Sequence, residues 1–81
     1  MISGRYQLIT TPEELARAAA YLSSLPVIGF DSETTGLDPH TAKPRLWQLA
    51  APDVCFIVDL PHFTLEQLQP MLALLAGAAF A

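Results

Sequence analysis

A short apolar segment that runs directly into two acidic residues is the feature that most constrains the fold of this chain. Val27-Ile28-Gly29-Phe30 follows a proline and carries no charge. Such a run, bounded by turn residues, is typical of a strand buried on both faces, and we predict a central strand of a sheet. Asp31 and Glu33 follow at once. Because residues two apart in a strand project from the same face, we expect both carboxylates on one face, beside the space left by Gly29.

The rest of the chain predicts a helix before this strand and two strands and a helix after it. A strand over Tyr6–Thr10 is followed by a helix, which the capping box Thr11-Pro12-Glu13-Glu14 begins and Ser23-Ser24-Leu25-Pro26 ends. After the central strand we predict a loop over Thr34–Pro44 and strands over Arg45–Ala51 and Val54–Leu60. A final helix follows, with Gly77 as its C-cap. The final helix begins at a second capping box, Thr64-Leu65-Glu66-Gln67, and kinks at Pro70, or it begins near Gln69. Short turns favour antiparallel pairing of the last three strands, and the element order indicates a mixed α/β fold.

The composition suggests that the chain is one part of a larger core. Its 81 residues are 52% hydrophobic and 15% charged, although a chain this short should expose more polar surface than average. This composition excludes intrinsic disorder, and the single cysteine, Cys55, excludes a disulfide scaffold and is expected to be buried. We therefore expect a truncated domain whose remaining parts supply further strands, helices and polar surface.

Charge and hydropathy bear on the partners and the cellular location of the protein. The net charge of −4 argues against a basic nucleic-acid interface, but bound divalent cations can reverse the sign of a site. The first five residues lack the apolar region of a secretory signal, and the apolar stretch Met71–Ala81 is too short for a membrane span. We predict a soluble, cytoplasmic protein without a membrane partner.

The two acids on one strand face are candidate metal ligands. Two carboxylates held close together repel each other unless a positive charge lies between them, and Mg²⁺ prefers such oxygen ligands. Two such ions are the usual arrangement for phosphodiester cleavage. An Asp-x-Glu triplet alone is a weak signal. The alternative interpretation is that Asp31 and Glu33 are solvated acids at the end of a strand.

The longer stretch around these acids resembles a known motif. Ile28-Gly29-Phe30-Asp31-Ser32-Glu33-Thr34-Thr35-Gly36-Leu37-Asp38-Pro39 is similar to the first exonuclease motif of the DEDD 3′–5′ exonucleases, which include ribonuclease D and the proofreading domain of bacterial DNA polymerase I. Arg45–Ala50 and Val54–Leu60 resemble the next two core strands of that family, and the Thr11–Leu15 helix start suits the ribonuclease D and polymerase I branch.

This resemblance implies a fold and a set of site residues. The fold would be the first half of a ribonuclease H-like fold, with an antiparallel three-strand core and flanking helices, and residues 1–81 would be the N-terminal portion of one exonuclease domain. Asp31 would bind two divalent cations, Mg²⁺ or Mn²⁺, and Glu33 would bind one of them. Thr34 would contact the 3′-terminal nucleotide through its backbone. Leu37 would wedge against the terminal base, or would be an ordinary loop residue that packs onto the sheet.

The implied activity is metal-dependent hydrolysis of phosphodiester bonds at a single-stranded 3′ end of DNA or RNA, with release of nucleoside monophosphates. A polymerase domain is a candidate neighbour in the full-length protein. The family uses four acids, and Asp38, Asp53 and Asp59 match none of the remaining positions. We therefore expect residues 1–81 alone to have negligible nuclease activity. The alternatives are a non-catalytic module of the same fold that binds nucleic acid or a polymerase, which retention of both acids argues against, and an unrelated α/β segment with a chance motif.

Overall fold

The computed structural model describes residues 5–34, 40 and 44–80, which form a mixed α/β unit. In chain order its elements are β1 (Arg5–Ile9), α1 (Pro12–Ser23), β2 (Gly29–Thr34), β3 (Pro44–Ala50), β4 (Val54–Asp59), a 3₁₀ turn (Leu60–His62) and α2 (Gln69–Gly77). The predicted order of strand, helix, three strands and helix is confirmed.

The four strands form one sheet in the order β1-β4-β3-β2. β2 pairs antiparallel with β3, and β3 pairs antiparallel with β4, as the short turns predicted. β1 lies outside β4 and pairs with it in parallel, so the antiparallel three-strand core carries one further strand at its edge. In parallel pairs the chain must cross over between the two strands, and α1 forms part of this long connection.

The position of β2 differs from the prediction. We expected a central strand buried on both faces, but β2 lies at an edge of the described sheet, and Val27 and Phe30 are 45% and 41% exposed. Ile28 is buried and forms an isolated parallel bridge with Phe80, supported by a 3.0 Å hydrogen bond from Ile28 N to Ala79 O. The apolar run correctly indicated burial at Ile28, but Phe30 stays partly exposed although it lies on the helix side opposite Leu49, because beyond the single bridge at Ile28 no described strand covers this edge.

A capping box sets the start of α1, and a proline sets the start of α2. At α1 the predicted capping box is complete: Glu14 N donates to Thr11 Oγ1, and Thr11 N donates to Glu14 Oε1, each at 3.2 Å. The second capping box, Thr64 with Gln67, forms the same two bonds but is followed by turns, and α2 begins at Gln69. A proline in the first turn of a helix loses no hydrogen bond, whereas a helix from Thr64 would place Pro70 in its interior.

The end of α2 corrects a smaller prediction. Gly77 is the last helical residue and not the C-cap, which is Ala78 with an extended backbone. None of the glycines in the described ranges has a positive φ, so the left-handed glycine cap that the sequence suggested is not formed here.

One face of the sheet packs against the helices and holds the core. The buried side chains of α1 are Leu15, Ala18, Ala19 and Leu22, and they meet strand residues that include Ile9, Leu49, Phe56 and Val58. Tyr21 contacts Phe56 edge to face, with ring centroids 6.1 Å apart. We call the opposite face, on which strand register places Tyr6, Leu8, Gln48 and Asp31, the open face, because Tyr6 and Leu8 are 67% and 56% exposed on it. In the part of the chain that the structure describes, no helix has the length and apolar character to cross a membrane.

Candidate active site

Asp31 and Glu33 both lie on the open face at the outer strand of the sheet. Asp31 pairs with Gln48 of β3, and Glu33 pairs with Leu46. Both acids are exposed, and their spacing of two residues on a continuous strand places them on the same face, as predicted. The strand therefore presents two carboxylates side by side to solvent.

Local contacts orient Asp31 and shape the strand beside it. The backbone N–H of Ser32 donates a 2.9 Å hydrogen bond to Asp31 Oδ1, and no donor among the described residues reaches Oδ2. Gly29 precedes Asp31 by two residues, lies on the same face and pairs with Ala50. A Cβ at Gly29 would be only 3.2 Å from the Ala50 Cβ. The missing side chain therefore lets β2 and β3 approach closely next to the acids.

The other two predicted site residues lie at the end of β2 and beyond it. Thr34 is the last residue of β2 and pairs with Pro44, after a register shift between Glu33 and Thr34. Such an irregularity bends a strand and can redirect the chain at a functional site. Leu37 lies outside the described residues.

The open face carries further polar residues that sequence analysis did not assign to the site. Gln48 is half-buried opposite Asp31. Asp59 pairs in register with Leu46, in the same cross-strand row as Glu33, and its Oδ2 lies 3.3 Å from His62 Nε2. The alternation of β3 and β4 across the tight turn at Pro52 could have placed both residues on this face, had the register been known.

The described acids make an incomplete ligand set. Across residues 5–34, 40 and 44–80 there is no cluster of three or more His, Cys, Asp or Glu side chains able to hold a metal ion. Asp59 is two strands away from Glu33, about 10 Å at the usual strand spacing, which is too far for a shared ion. Within the described residues, Asp31 and Glu33 therefore provide two hard oxygen donors but not a complete metal site.

Two further features, a buried cysteine and an uncharged groove, lie outside the pair of acids. Cys55 is buried between its strand neighbours, and burial raises the pKa of its thiol, which disfavours the reactive thiolate. A groove of about 330 Å³ lies between the end of α1 and α2. The residues that line it are all uncharged: Leu22, Ser23, Leu25, Pro26, Ile28, Leu74, Gly77, Ala78 and Ala79.

Comparison with known proteins identifies the family to which this sheet and its pair of exposed acids belong. A family model described as 3′–5′ exonuclease matches residues 6–78. The chain therefore belongs to the DEDD 3′–5′ exonuclease family, as the motif around Asp31 and Glu33 predicted, and an unrelated α/β fold is excluded. The curated proteins include no match to this chain.

Solved structures show the same fold. RNase D of Escherichia coli, described as an exoribonuclease involved in structured RNA processing, is 27% identical over 86% of this chain, with a TM-score of 0.74. RNase D of Trypanosoma brucei in complex with RNA U12 is 22% identical over 91% of this chain, with a TM-score of 0.80. The same RNase D in a GMP complex is 26% identical over 88% of this chain, with a TM-score of 0.74. The matched region covers 18%, 27% and 23% of those three chains, so this chain spans less than a third of each.

Proposed function

We propose that residues 1–81 are the N-terminal portion of one exonuclease domain that hydrolyses phosphodiester bonds at the single-stranded 3′ end of a nucleic acid and releases nucleoside monophosphates. The observation that carries the proposal is the placement of Asp31 and Glu33, side by side and exposed on the open face, inside the region that matches the exonuclease family. The small share of each RNase D chain that is covered supports the view that other parts of such a domain lie elsewhere.

The two carboxylates suit divalent cations. Both are exposed, both are hard oxygen donors, and Asp31 keeps one carboxylate oxygen without a hydrogen bond among the described residues. By the family resemblance, Asp31 would hold two ions and Glu33 one of them, with Mg²⁺ or Mn²⁺ as the metal. When bound, such ions activate water and stabilise the leaving oxygen of a phosphodiester. The part of this chain is to hold the two carboxylates on a rigid strand, with the Ser32 N–H fixing the orientation of one of them.

The substrate is a polynucleotide 3′ end. The solved RNase D structures include one with RNA and one with GMP, a nucleoside monophosphate, so RNA is the first substrate to test, with DNA beside it. Thr34 would contact the terminal nucleotide through its backbone, and Leu37 would wedge against the terminal base. A polymerase domain in the full-length protein and a cytoplasmic location remain predictions.

The proposal is tested with the full-length protein and 5′-labelled single-stranded RNA and DNA. We expect Mg²⁺-dependent shortening from the 3′ end, loss of shortening with EDTA, and its loss in Asp31→Ala. Glu66→Ala is the matched control, because Glu66 is an exposed carboxylate in the turn before α2. Residues 1–81 alone are expected to be inactive, because Mg²⁺ gives up its water reluctantly and two carboxylates hold it poorly.

Two results would contradict the proposal. Shortening that persists in Asp31→Ala would show that the activity lies elsewhere. Tight binding of the labelled strands by the full-length protein without any shortening would instead support a non-catalytic nucleic-acid-binding module of the same fold.

A further inference from the structure

The outer edge of β2 meets the chain again after α2. Ile28 forms a parallel bridge with Phe80, and the backbone N–H of Ile28 donates a 3.0 Å hydrogen bond to the carbonyl oxygen of Ala79. The rings of Phe80 and Phe30 are in contact, with centroids 6.2 Å apart. After α2 the chain has therefore returned to the sheet on the side of β2 that β3 does not occupy.

This edge presents apolar side chains that a neighbouring strand would cover. Val27, Phe30 and Phe80 are all exposed, and Phe30 also contacts the ring of Trp47, with centroids 6.1 Å apart. Edge strands with exposed apolar side chains invite pairing with another strand, and proteins usually cover such edges. The bridge at Ile28 indicates the segment that begins to do so here, which is the chain that follows α2.

A hydrogen bond at Ser32 limits how far a strand can pair along this edge. Successive residues of a strand direct their N–H groups to opposite edges, so Phe30 and Ser32 share the outward direction of Ile28. The Ser32 N–H already donates to Asp31 Oδ1 at 2.9 Å. A hydrogen bond to a carboxylate is roughly twice as strong as one to an uncharged carbonyl, so pairing at Ser32 would exchange a stronger bond for a weaker one.

The pairing of β2 also becomes irregular just beyond Ser32. Its register with β3 shifts between Glu33 and Thr34, and such an irregularity bends a strand away from its course. A partner strand that continues in register from Phe80 would therefore part from β2 beyond Phe30 for two independent reasons, the occupied Ser32 N–H and the bend.

We propose that the chain after Phe80 continues as a strand parallel to β2, that it pairs with β2 only as far as Phe30, and that it leaves the edge beside Asp31 and Glu33 open. The open edge gives a nucleic-acid 3′ end access to the two acids from the side of the sheet. This inference rests on the proposed function, because it requires that residues 1–81 continue into the rest of an exonuclease domain.

Amide hydrogen exchange in the full-length protein, read by nuclear magnetic resonance, tests the proposal without metal or substrate. We expect the Phe30 amide to be protected both in the wild type and in Asp31→Ala, because its partner is the backbone of the following strand. The Ser32 amide should exchange about 3–10-fold faster in Asp31→Ala, after correction for the intrinsic effect of the substitution, because the variant removes its acceptor. The Gly29 amide, which points toward β3, is the internal control and should not change.

A matched pair of charge substitutions tests the strand itself. Phe80→Asp places a charge against the Phe30 ring at the start of the proposed strand, so the Phe30 amide should exchange at least about tenfold faster than in the wild type. Leu65→Asp is the control, because Leu65 is also an exposed apolar residue but lies in the turn before α2. It should leave exchange at Phe30 unchanged.

The outcomes are distinct. A Phe30 amide that exchanges in the wild type as fast as an unpaired residue overturns the proposed strand, whether or not Phe80→Asp folds. A Ser32 amide that keeps its full protection in Asp31→Ala shows that the strand pairs beyond Phe30 and overturns the open edge. Protection at Phe30 that falls on dilution assigns this edge to a second copy of the chain and overturns the proposal as well. If the exchange results hold but no labelled strand is shortened, the proposed function fails and the inference on the strand stands.

Discussion

Tyr21 donates a 2.7 Å hydrogen bond from its hydroxyl to Asp53 Oδ1 and so joins α1 to the turn between β3 and β4. The two residues are 32 positions apart in the chain. The bond connects the helix layer to the sheet at the end remote from Glu33, because the turn follows Ala50 and Glu33 pairs near the start of β3.

The first prediction concerns this bond at alkaline pH. The hydrogen bond to Asp53, together with desolvation and the nearby negative charge, raises the pKa of Tyr21 above its ordinary value of 10.0. A raised folded-state pKa contributes stability below about pH 10 that is lost as Tyr21 ionises at higher pH. We expect the melting temperature to fall above about pH 10, and Tyr21→Phe to reduce this fall. Tyr6→Phe is the control, and equal alkaline profiles for Tyr21→Phe and the wild type would contradict the prediction.

The second prediction concerns the capping box of α1. The backbone N–H of Thr10 and the side chain of Thr11 lower the pKa of Glu14 below 4.5. A lowered pKa contributes stability above that range, which is lost as the pH falls through the folded-state value. Thr11→Ala should lower the free energy of unfolding by about 1 kcal/mol at pH 7, measured by urea denaturation. Glu14→Gln should flatten the loss of stability below about pH 4.5, whereas the neighbouring Glu13→Gln should not.

The third prediction compares two leucines of opposite exposure. Leu15 is a fully buried residue of α1, and Leu65 is 70% exposed in the turn before α2. Leu15→Ala should lower the free energy of unfolding by about 2–5 kcal/mol, because it removes buried methyl groups and leaves a cavity. Leu65→Ala should change it by less than about 0.5 kcal/mol. Similar losses in the two variants would show that the core does not lie between α1 and the sheet.

The fourth prediction is a stabilising change at Gly77. This residue is helical, its φ is not positive, and an added Cβ would meet no heavy atom within 4 Å. Gly77→Ala should therefore raise the free energy of unfolding by about 0.5–1 kcal/mol, because alanine loses less backbone entropy in a helix. A loss of stability would instead indicate that Gly77 does act as a helix cap.

The fifth prediction concerns neighbouring residues on opposite faces of β2. Glu33 lies on the open face with Asp31, whereas Ser32 pairs with Trp47 on the other face. If Glu33 is the metal ligand that we propose, Glu33→Gln in the full-length protein should lower Mg²⁺-dependent shortening of a labelled strand at least about a hundredfold, because it removes the charge of that ligand. Ser32→Ala should stay within about threefold of the wild type, and an equal loss in both variants would indicate general damage to the strand.

Short-range chemistry accounts for what could be predicted from the chain alone. The capping boxes at Thr11 and Thr64 and the apolar stripe of α1 depend on residues three or four positions apart. The antiparallel pairing of β2, β3 and β4 was predicted from the short connections between these strands. The exposed pair of Asp31 and Glu33 also follows from strand alternation, and the family follows from the motif around it. Their roles as metal ligands, and those of Thr34 and Leu37 at the substrate, remain predictions.

Tertiary contacts decided the rest. The local signals at Thr64 and Pro70 allowed two helix starts, and the structure begins α2 at Gln69, where proline costs no hydrogen bond. The edge position of β2 and the parallel pairing of β1 with β4 depend on which distant segments meet, and an apolar run indicates burial without naming the partner. The sequence by itself determined two carboxylates on one strand face, through the period of the strand. Only the folded sheet brought Gln48 opposite Asp31, because a one-residue change of register would have turned that side chain to the other face.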